Sequence, residues 1–421
     1  MNLKDALDRI ESIVEKYLKD NPYAPNSKKI SLTTPSFGKE EIMEAIDSLL
    51  STFVTMGKKV YKFEAMFAKY IGMHFGTMVN SGSSSNLISL EILANPMVEN
   101  GLKPGDEIIT PALTWSTTVF PILDVNAVPV FVDSDPNSLT IDINQLEASL
   151  SDKTRAIMPV HLLGYPCDMD YIMDFAEDNN LFVIEDCCEA HGALWNGKKV
   201  GSFGDLSSFS FFFSHHITTI EGGIVLTNNE HFNNLAKSLR AHGWVRERPD
   251  KDELIEKYSD LDSRFLFVNK GYNLRPTEIQ GAFGIHQIEK LESFIKIRET
   301  NADYWISALE GVERNIALPV VEKNVRHAWF GFPLIVKDNA PYKRTDIISY
   351  LESNGIETRP IMAGNMAKQP GIELFNWRKI GNLEIATDVM NNGFFFGNHP
   401  GIGKKEREYI VEKILEFDSK F

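Results

Sequence analysis

Two adjacent histidines, His215 and His216, follow an aromatic run that begins near residue 207 and ends in a polar turn. An imidazole is suited to proton transfer because its ordinary pKa of about 6.5 lies close to neutral pH. Side chains alternate along an extended strand, so at most one of the two rings should face a site. No further ligand-type residues stand near the pair, and we therefore expect no metal site here.

An acidic residue, Asp186, follows the apolar run 181–185. If that run is a strand, the carboxylate stands at the carboxyl edge of a sheet, where open α/β folds bind ligands. It could pair with a protonated pyridine nitrogen and make a cofactor ring an electron sink, or it could cap the next helix. These residues alone leave both interpretations open. For His191, five residues further on, a structural role is favoured over a catalytic one.

A serine- and glycine-rich segment, 80–86, has the composition of a turn between a strand and a helix. Such a turn presents free backbone N–H groups and hydroxyls to an anion, usually a phosphate, although many serine-rich turns only cap a helix. The segment 271–278 contains Asn273 and has Pro276 near a predicted helix start. By itself that segment indicates only where a helix begins.

The elements that must position these residues alternate between short apolar strands and helices, which predicts an α/β layer with a mainly parallel sheet. A long helix over 275–311 should lead into a smaller α+β domain. We predict an N-terminal arm over 1–40 with a helix and a loop at 21–26, a large domain over 41–311, and a small domain over 312–421. The predicted strands of the large domain are 77–79, 107–110, 128–132, 156–159, 181–185, 207–211 and 223–227.

The bulk composition excludes several classes of protein. The 421 residues carry 43 basic and 58 acidic side chains, a net charge of −15, which argues against a nucleic-acid-binding surface. No apolar run approaches the roughly 20 residues of a membrane helix, and we expect a cytoplasmic protein that does not enter membranes. Three cysteines fit a reducing compartment and are too few for an iron–sulfur cluster, which takes about four thiolates; they are Cys167, Cys187 and Cys188.

Together, in this order and spacing, these segments resemble the DegT/DnrJ/EryC1/StrS family of sugar aminotransferases, from about residue 38 to the C-terminus. The resemblance implies the fold type I (aspartate aminotransferase-like) architecture and the cofactor pyridoxal 5′-phosphate (PLP). It implies that Asp186 pairs with the pyridine nitrogen, that Trp115 stacks on the ring, and that Asn273 reaches the phosphate from the partner subunit of a homodimer with shared active sites. The residues implied for the phosphate within one chain are Gly82, Ser83, Ser84 and Ser210.

The sequence departs from the general family at two positions. His215 stands where the aminotransferases carry the cofactor-binding lysine, and Glu189 stands where they usually carry glutamine. Both changes resemble the 3-dehydratase subgroup that makes 3,6-dideoxysugars for surface polysaccharide. The resemblance implies a resting pyridoxamine 5′-phosphate (PMP) form, a nucleotide-linked 4-keto-6-deoxysugar substrate, most similar to the GDP-linked type, and L-glutamate as amine source with release of ammonia. His215 would carry the protons.

An alternative remains at this point: an ordinary sugar-nucleotide aminotransferase whose lysine has been replaced. The segment 240–244 and Glu189 favour the dehydratase independently of His215. The anionic groups of the substrates need cations, and three arginines in loop-like or motif segments are candidates; they are Arg240, Arg246 and Arg359.

Overall fold

The structure, a computed structural model, describes residues 2–22 and 29–421. The predicted loop at 21–26 lies outside the described residues from position 23 onward. The helices are α1 Leu3–Asp20, α2 Lys39–Leu50, α3 Lys58–Ile71, α4 Gly82–Leu93, α5 Ser116–Asp124, α6 Leu146–Ser149, α7 Met169–Asp178, α8 Glu230–Arg240, α9 Lys251–Lys257, α10 Glu278–Ala308, α11 Arg344–Ser353, α12 Glu384–Asn392 and α13 Lys404–Asp418. In this part of the chain no helix is both long and apolar enough to cross a membrane.

Fifteen strands form three sheets in the described ranges. The eight-stranded sheet has the order β1-β9-β8-β5-β4-β2-β3-β14, the four-stranded sheet β10-β12-β15-β13, and the three-stranded sheet β11-β6-β7. The strands are β1 Phe75–Val79, β2 Glu107–Pro111, β3 Val128–Val132, β4 Thr154–Ile157, β5 Phe182–Asp186, β6 Leu194–Trp195, β7 Lys198–Lys199, β8 Leu206–Ser210, β9 Gly223–Thr227, β10 Ile316–Ala317, β11 Val325–Arg326, β12 Gly331–Val336, β13 Thr358–Pro360, β14 Arg378–Lys379 and β15 Gly393–Gly397.

The large sheet is mainly parallel and mixed, as the alternation of strands and helices predicted. From β8 to β14 neighbouring strands pair in parallel, and β9 joins β1 and β8 in antiparallel pairs. Strands such as β3, whose last four residues are fully covered, are buried because helices lie on both faces of the sheet. All seven predicted strands are present, with ends within two residues of the prediction.

The long helix α10 connects this layer to the four-stranded antiparallel sheet. It begins three residues later than predicted because Thr277 is its N-cap, in a capping box with Gln280. Its first half packs on α2 and α3, and its last turns enter a second core in which Trp305 meets the rings of Phe332 and Phe396 edge-on. One short strand from the C-terminal part, β14, returns to the edge of the large sheet.

Candidate active site

A cavity of about 350 Å³ opens where β5 and β8 end and where α4 and α5 begin. This is the carboxyl edge of the parallel strands, the place at which open α/β sheets bind ligands. Seven of the residues singled out from the sequence line it together: Gly82, Ser83, Trp115, Asp186, Glu189, Ser210 and His215. No lysine is among the cavity-lining residues of the described part of the chain.

Asp186, the last residue of β5, lies at the bottom of this cavity and is 5% exposed. Its Oδ2 accepts hydrogen bonds from Asn86 Nδ2 at 2.9 Å and from Thr118 Oγ1 at 2.8 Å. Its Oδ1 accepts the backbone N–H of Cys188 at 3.1 Å. All three donors are neutral, and within residues 2–22 and 29–421 no cation forms an ion pair with the carboxylate. Asp186 is therefore fixed in orientation and remains available to a cationic group of a ligand.

The first turn of α4 forms a cradle in the wall of the cavity. Ser81 is the N-cap, and its hydroxyl accepts the backbone N–H of Ser84. Gly82 lies against Ser210 so closely that a Cβ at position 82 would come within 2.4 Å of Ser210 Cβ. The absence of a side chain thus leaves the backbone N–H groups at the helix start accessible beside the hydroxyls of Ser83 and Ser210. This donor set fits a phosphate group.

Ser84, which the sequence grouped with this cradle, does not line the cavity. Its hydroxyl lies 2.7 Å from Asn80 Oδ1 and 3.0 Å from Ser81 Oγ, and the residue is buried. The side chain ties the turn together, since a serine in the first helical turn can bond to the neighbouring loop.

Of the two adjacent histidines, His215 lines the cavity and His216 points away from it, so one ring faces the site as expected, although the pair lies in the turn after β8 and not in an extended strand. His216 is fully buried, and its Nε2–H donates to the carbonyl of Ala328 at 2.9 Å. His215 packs its ring on Phe330, at 5.2 Å between ring centroids. Its Nδ1 is buried and has no hydrogen-bond partner among the described residues.

The surroundings of His215 lower its pKa below the ordinary value of an imidazole. Desolvation lowers the pKa of His215 to about 3, and the buried cation of Arg298 acts in the same direction. The imidazole is therefore neutral at pH 7, and once it has taken up a proton it is a strong acid.

Glu189 lines the cavity beside Asp186, and its Oε2 accepts the backbone N–H of Leu163 at 2.7 Å. Desolvation raises the pKa of Glu189 to about 8, and the negative charge of Asp186 adds to the effect. At neutral pH the side chain is mainly a carboxylic acid with one accepting oxygen and one donating O–H. It then offers the same two hydrogen-bonding functions as a glutamine amide, the residue usual at this position in the aminotransferases.

Trp115 lies at the exposed wall of the cavity, and His191 lies in the core. Trp115 is the N-cap residue of α5 and is 55% exposed at the cavity wall, so its indole face is open to a planar ligand. His191 is fully buried among aromatic rings, with Phe209 at 5.3 Å and Phe67 at 6.0 Å between centroids. It belongs to the core below the cavity, in agreement with the structural role favoured from the sequence.

Arg240 corrects the sequence interpretation, because it lies inside the protein and not at the cavity. It is fully buried and forms a 2.6 Å ion pair with Glu64, and it also donates to the carbonyl of Met78. A buried guanidinium in such a pair cannot turn toward a substrate without leaving the carboxylate of Glu64 unpaired.

Three other predicted residues also lie away from the cavity of their own chain. Arg246 is exposed, and its guanidinium lies 4.4 Å from the ring centre of Trp244. Arg359 is exposed and its Nη1 donates to the carbonyl of Thr358. Asn273 is exposed and its side-chain oxygen accepts from Arg275.

The structure also shows site residues to which the sequence analysis gave no role. Asn86 and Thr118 hold Asp186. Asn86 lies in the serine- and glycine-rich segment 80–86, four residues after Gly82, and Thr118 lies three residues after Trp115. The helical spacing from those residues could have indicated them. Phe330 carries no signal of this kind, because it reaches the cavity from a distant part of the chain. Other lining residues are Ser81, Thr114, Thr117, Val160, Leu162, Cys188, Phe212, Ser214, Glu221 and Met362.

One group of ligand-type side chains lies outside the cavity. In the described part of the chain, His161, Glu185 and Cys187 bring their ligand atoms within 4.8 Å of one another. Both oxygens of Glu185 accept backbone N–H groups of the turn at 201–204, and Nδ1 of His161 accepts the N–H of Cys167. These contacts hold the turn before β8, so the group has a structural explanation.

Comparison with known proteins agrees with this geometry. A GDP-4-keto-6-deoxy-D-mannose 3-dehydratase from Escherichia coli O55:H7 is 40% identical over 375 residues, which cover 88% of this chain and 96% of the relative. One from Yersinia pseudotuberculosis is 38% identical over 379 residues, covering 88% and 95%. A crystal structure of GDP-4-keto-6-deoxymannose-3-dehydratase with a trapped PLP–glutamate geminal diamine superposes with a TM-score of 0.86 at 36% identity, covering 91% of this chain and 100% of that one.

The model of the DegT/DnrJ/EryC1/StrS aminotransferase family matches residues 35–415, nearly the whole span over which the sequence resembled it. With the fold type I architecture and the cavity at the carboxyl edge of its sheet, the chain belongs to the DegT/DnrJ/EryC1/StrS aminotransferase family.

Proposed function

We propose that this chain is a PLP/PMP-dependent 3-dehydratase that removes the 3-hydroxyl of a GDP-linked 4-keto-6-deoxysugar. One observation carries the proposal: a neutral histidine, His215, and not a lysine, lies in a cavity with Asp186 at its bottom. The relatives named as 3-dehydratases of a GDP-linked 4-keto-6-deoxy sugar support the substrate class. The aminotransferase alternative requires an amine at this position, and no lysine lines the cavity among the described residues.

The cavity residues fit the cofactor at both ends. Asp186 would hold the protonated ring nitrogen, and the indole of Trp115 would stack on the ring. The start of α4 at Gly82 and Ser83, with Ser210, would hold the phosphate, and Glu189 would complete the set from the wall beside Asp186. When bound, the cofactor supplies an amine that condenses with the sugar ketone and a ring that accepts an electron pair.

His215 is proposed to move the protons. Its neutral imidazole can accept a proton from the carbon next to the reacting amine, acting first as a base. The low pKa of His215 makes the resulting imidazolium a strong acid, ready to protonate the departing 3-hydroxyl. The same side chain thus serves twice, and the surrounding apolar wall, which includes Phe330, keeps bulk water from competing.

The overall reaction balances without an external reductase. L-Glutamate is oxidised to 2-oxoglutarate and ammonia, and its two electrons replace the C3–O bond of the sugar by a C3–H bond. The water that leaves the sugar equals the water consumed when glutamate loses its nitrogen. An iron–sulfur cluster is therefore not needed for this stoichiometry. The structure with a trapped PLP–glutamate adduct supports glutamate as the amine source.

Arg246 and Arg359 remain the proposed partners of the anionic groups of the substrates. Both guanidinium groups are exposed and form no ion pair within the described residues, so they are free to bind a diphosphate or a carboxylate. Replacing either by glutamine should raise KM for its substrate with little change in kcat. An unchanged KM for both substrates would remove the residue from the binding site.

We also propose a homodimer in which Asn273 of one copy completes the cavity of the other. Phe212, which lines the cavity, is an exposed apolar side chain, as are Phe53 and Ile220, and a second copy would cover them. In a mixture of His215→Asn and Asn273→Ala chains, one site of each heterodimer would carry both changes and the other neither. Activity should then recover toward half of the wild-type value per heterodimer, whereas no recovery would place Asn273 in its own chain's site.

The compartment proposed is the cytoplasm, where the product would serve the synthesis of a surface polysaccharide such as lipopolysaccharide or capsule. All three cysteines are free thiols, which fits a reducing compartment. Fractionation of cells that express the chain would test the location, and enrichment with membranes would contradict it.

The deciding experiment combines the purified protein with PLP, L-glutamate and GDP-4-keto-6-deoxymannose and measures ammonia and 2-oxoglutarate together. Equal amounts of the two products are expected from a dehydratase. Formation of 2-oxoglutarate without ammonia would mean that the nitrogen stays on the sugar, and the aminotransferase alternative would replace the proposal. If glutamate alone changes the cofactor spectrum and the sugar adds nothing, the substrate assignment is wrong.

A further inference from the structure

The segment 328–330 is held in an unusual backbone conformation next to the cavity. Trp329 has φ +54°, in the left-handed region that residues other than glycine rarely adopt. Every backbone N–H and C=O of the segment is nevertheless paired. The partners are Gly164 O and His216 Nε2 for Ala328, His327 Nδ1 and Arg298 Nη1 for Trp329, and Leu163 O and Arg298 Nη1 for Phe330.

A second segment with positive φ angles packs against the segment 328–330. Leu163 has φ +52° and Gly164 φ +92°. Leu163 O accepts the N–H of Phe330 at 2.8 Å, and Leu163 N–H donates to Glu189 Oε2. A Cβ on Gly164 would lie 2.9 Å from the backbone nitrogen of Trp329, so the two turns are in direct contact. Such conformations persist when the surroundings specify them completely, and they cluster at functional sites.

These two segments together fix the position of the Phe330 ring. Phe330 lines the cavity and packs on His215, with its carbonyl and N–H both fixed by the contacts above. The ring of His215 also has His191 at 6.2 Å and Phe212 at 6.3 Å between centroids. Three rings thus surround the imidazole of His215 at the cavity wall, and that of Phe330 is the nearest.

The packing around His215 matters because, in the described ranges, no hydrogen bond from its Nδ1 orients the imidazole ring. A histidine that moves protons is usually fixed by a carboxylate or carbonyl bonded to its second nitrogen. Nδ1 of His215 has no such partner in the part of the chain that the structure describes. The orientation of the imidazole must therefore come from the shape of its surroundings, to which Phe330 contributes from the position just before β12.

We propose that Phe330 is a positioning residue for His215, and that the paired turns at Leu163–Gly164 and Trp329 set where its ring lies. The inference rests on the proposed function of His215 as proton carrier. It adds a residue from beyond α10 to the machinery, so that the C-terminal part of the chain controls the geometry of a group in the connection between β8 and β9.

The test compares Phe330→Leu, Phe330→Tyr and Phe395→Leu in the full chain. Phe395 is the matched control, because its ring lies 6.3 Å from that of Phe330 in the same cluster, and it does not line the cavity. In the PLP-loaded protein, Phe330→Leu should slow the half-reaction with saturating L-glutamate by about tenfold or more, with KM changed less than about twofold. Phe330→Tyr should keep most of the rate, and Phe395→Leu nearly all of it.

Two further measurements separate positioning from general packing. In a His215→Asn background, Phe330→Leu should cause no additional loss of rate, since the two residues act through one group. In the cofactor-free full chain labelled with 13C at histidine Cε1, Phe330→Leu should move the His215 resonance and raise its titration midpoint, and Phe395→Leu should leave both unchanged. Equal losses of rate in both backgrounds, or an unmoved resonance, would overturn the proposal.

The 13C measurement on His215 does not depend on the reaction assigned to the enzyme. If the wild-type protein releases no ammonia from the sugar substrate, the proposed function fails. The response of the His215 resonance to Phe330→Leu would still show whether the ring positions the imidazole.

Discussion

The backbone N–H of Leu163 donates a 2.7 Å hydrogen bond to Glu189, and the carbonyl of the same residue accepts the N–H of Phe330. One peptide segment therefore connects the carboxyl group of Glu189, on the cavity wall beside Asp186, to the ring of Phe330 that packs on His215. Because Leu163 has a positive φ, this connection depends on its partners and should respond when the carboxyl group changes its charge.

Replacement of Glu189 by glutamine should remove a pH dependence of stability. The pKa of Glu189 is raised to about 8, so the folded state favours the protonated form. Its contribution is complete below the ordinary pKa of about 4.5 and is lost as pH rises through about 8, because the folded chain then binds more protons than the unfolded one. Glu189→Gln should have a higher melting temperature than wild type at pH 9 and a similar one at pH 5. A difference that does not grow with pH would contradict the assigned protonation.

Replacement of His215 by asparagine should slow proton transfer strongly while leaving cofactor binding intact. Loss of a general acid or base typically lowers kcat by about 10²–10⁴-fold, and His215 is proposed to serve as both. The dissociation constant of PLP should change little, because the cradle at Gly82 and the carboxylate of Asp186 are untouched. Rates would be followed by ammonia release, and binding by the cofactor absorbance. A variant with near wild-type kcat would exclude His215 as the proton carrier.

Replacement of His215 by lysine should make the cofactor attach covalently. A lysine amine condenses with the cofactor aldehyde, whereas imidazole forms no stable product of this kind. After borohydride reduction, peptide mass spectrometry should find the cofactor on position 215 in His215→Lys and on no residue of the wild type. A cofactor fixed to any lysine of the wild-type protein would mean that the cofactor binds outside this cavity.

Removal of the Thr118 hydroxyl should weaken the hold on Asp186. A hydrogen bond to a charged group contributes about 1.5–3 kcal/mol, so Thr118→Val should lower PLP affinity or the half-reaction rate by roughly ten- to a hundredfold. Thr117→Val is the matched control, because Thr117 lines the same cavity and forms no hydrogen bond with the carboxylate. Similar effects of both changes would show that the site responds to packing and not to this donor.

Replacement of Arg240 should reduce the stability of the fold, whereas replacement of Arg246 should leave it nearly unchanged. Breaking a buried ion pair costs about 3–5 kcal/mol, so Arg240→Met should lower the free energy of unfolding by about that amount. Arg246→Met should lower it by less than about 1 kcal/mol, because its guanidinium is exposed over Trp244. Urea unfolding of both variants measures the difference. A stable Arg240→Met protein with a raised KM would restore Arg240 to the substrate site.

The sequence predicted the layer architecture and much of the cavity wall because both depend on local patterns. Short apolar runs such as 128–132, rich in β-branched residues and alternating with helical segments, indicate buried strands, and a Gly-Ser turn after a strand indicates either an anion cradle or a helix cap. The resemblance then ordered these segments into one site, and Asp186, Trp115, Ser210 and His215 do meet at one cavity.

By itself, the sequence determined which groups are present: a histidine and no lysine at the reactive position, a carboxylate at a strand end, and a cradle of small residues. Only the tertiary structure decided their states. Burial makes His215 neutral and Glu189 protonated, and it turns Arg240 from a candidate ligand into an internal ion pair. It also brings Phe330 beside His215 from more than a hundred residues away. Desolvation and contact depend on neighbours distant along the chain, so no local pattern of residues could have shown them.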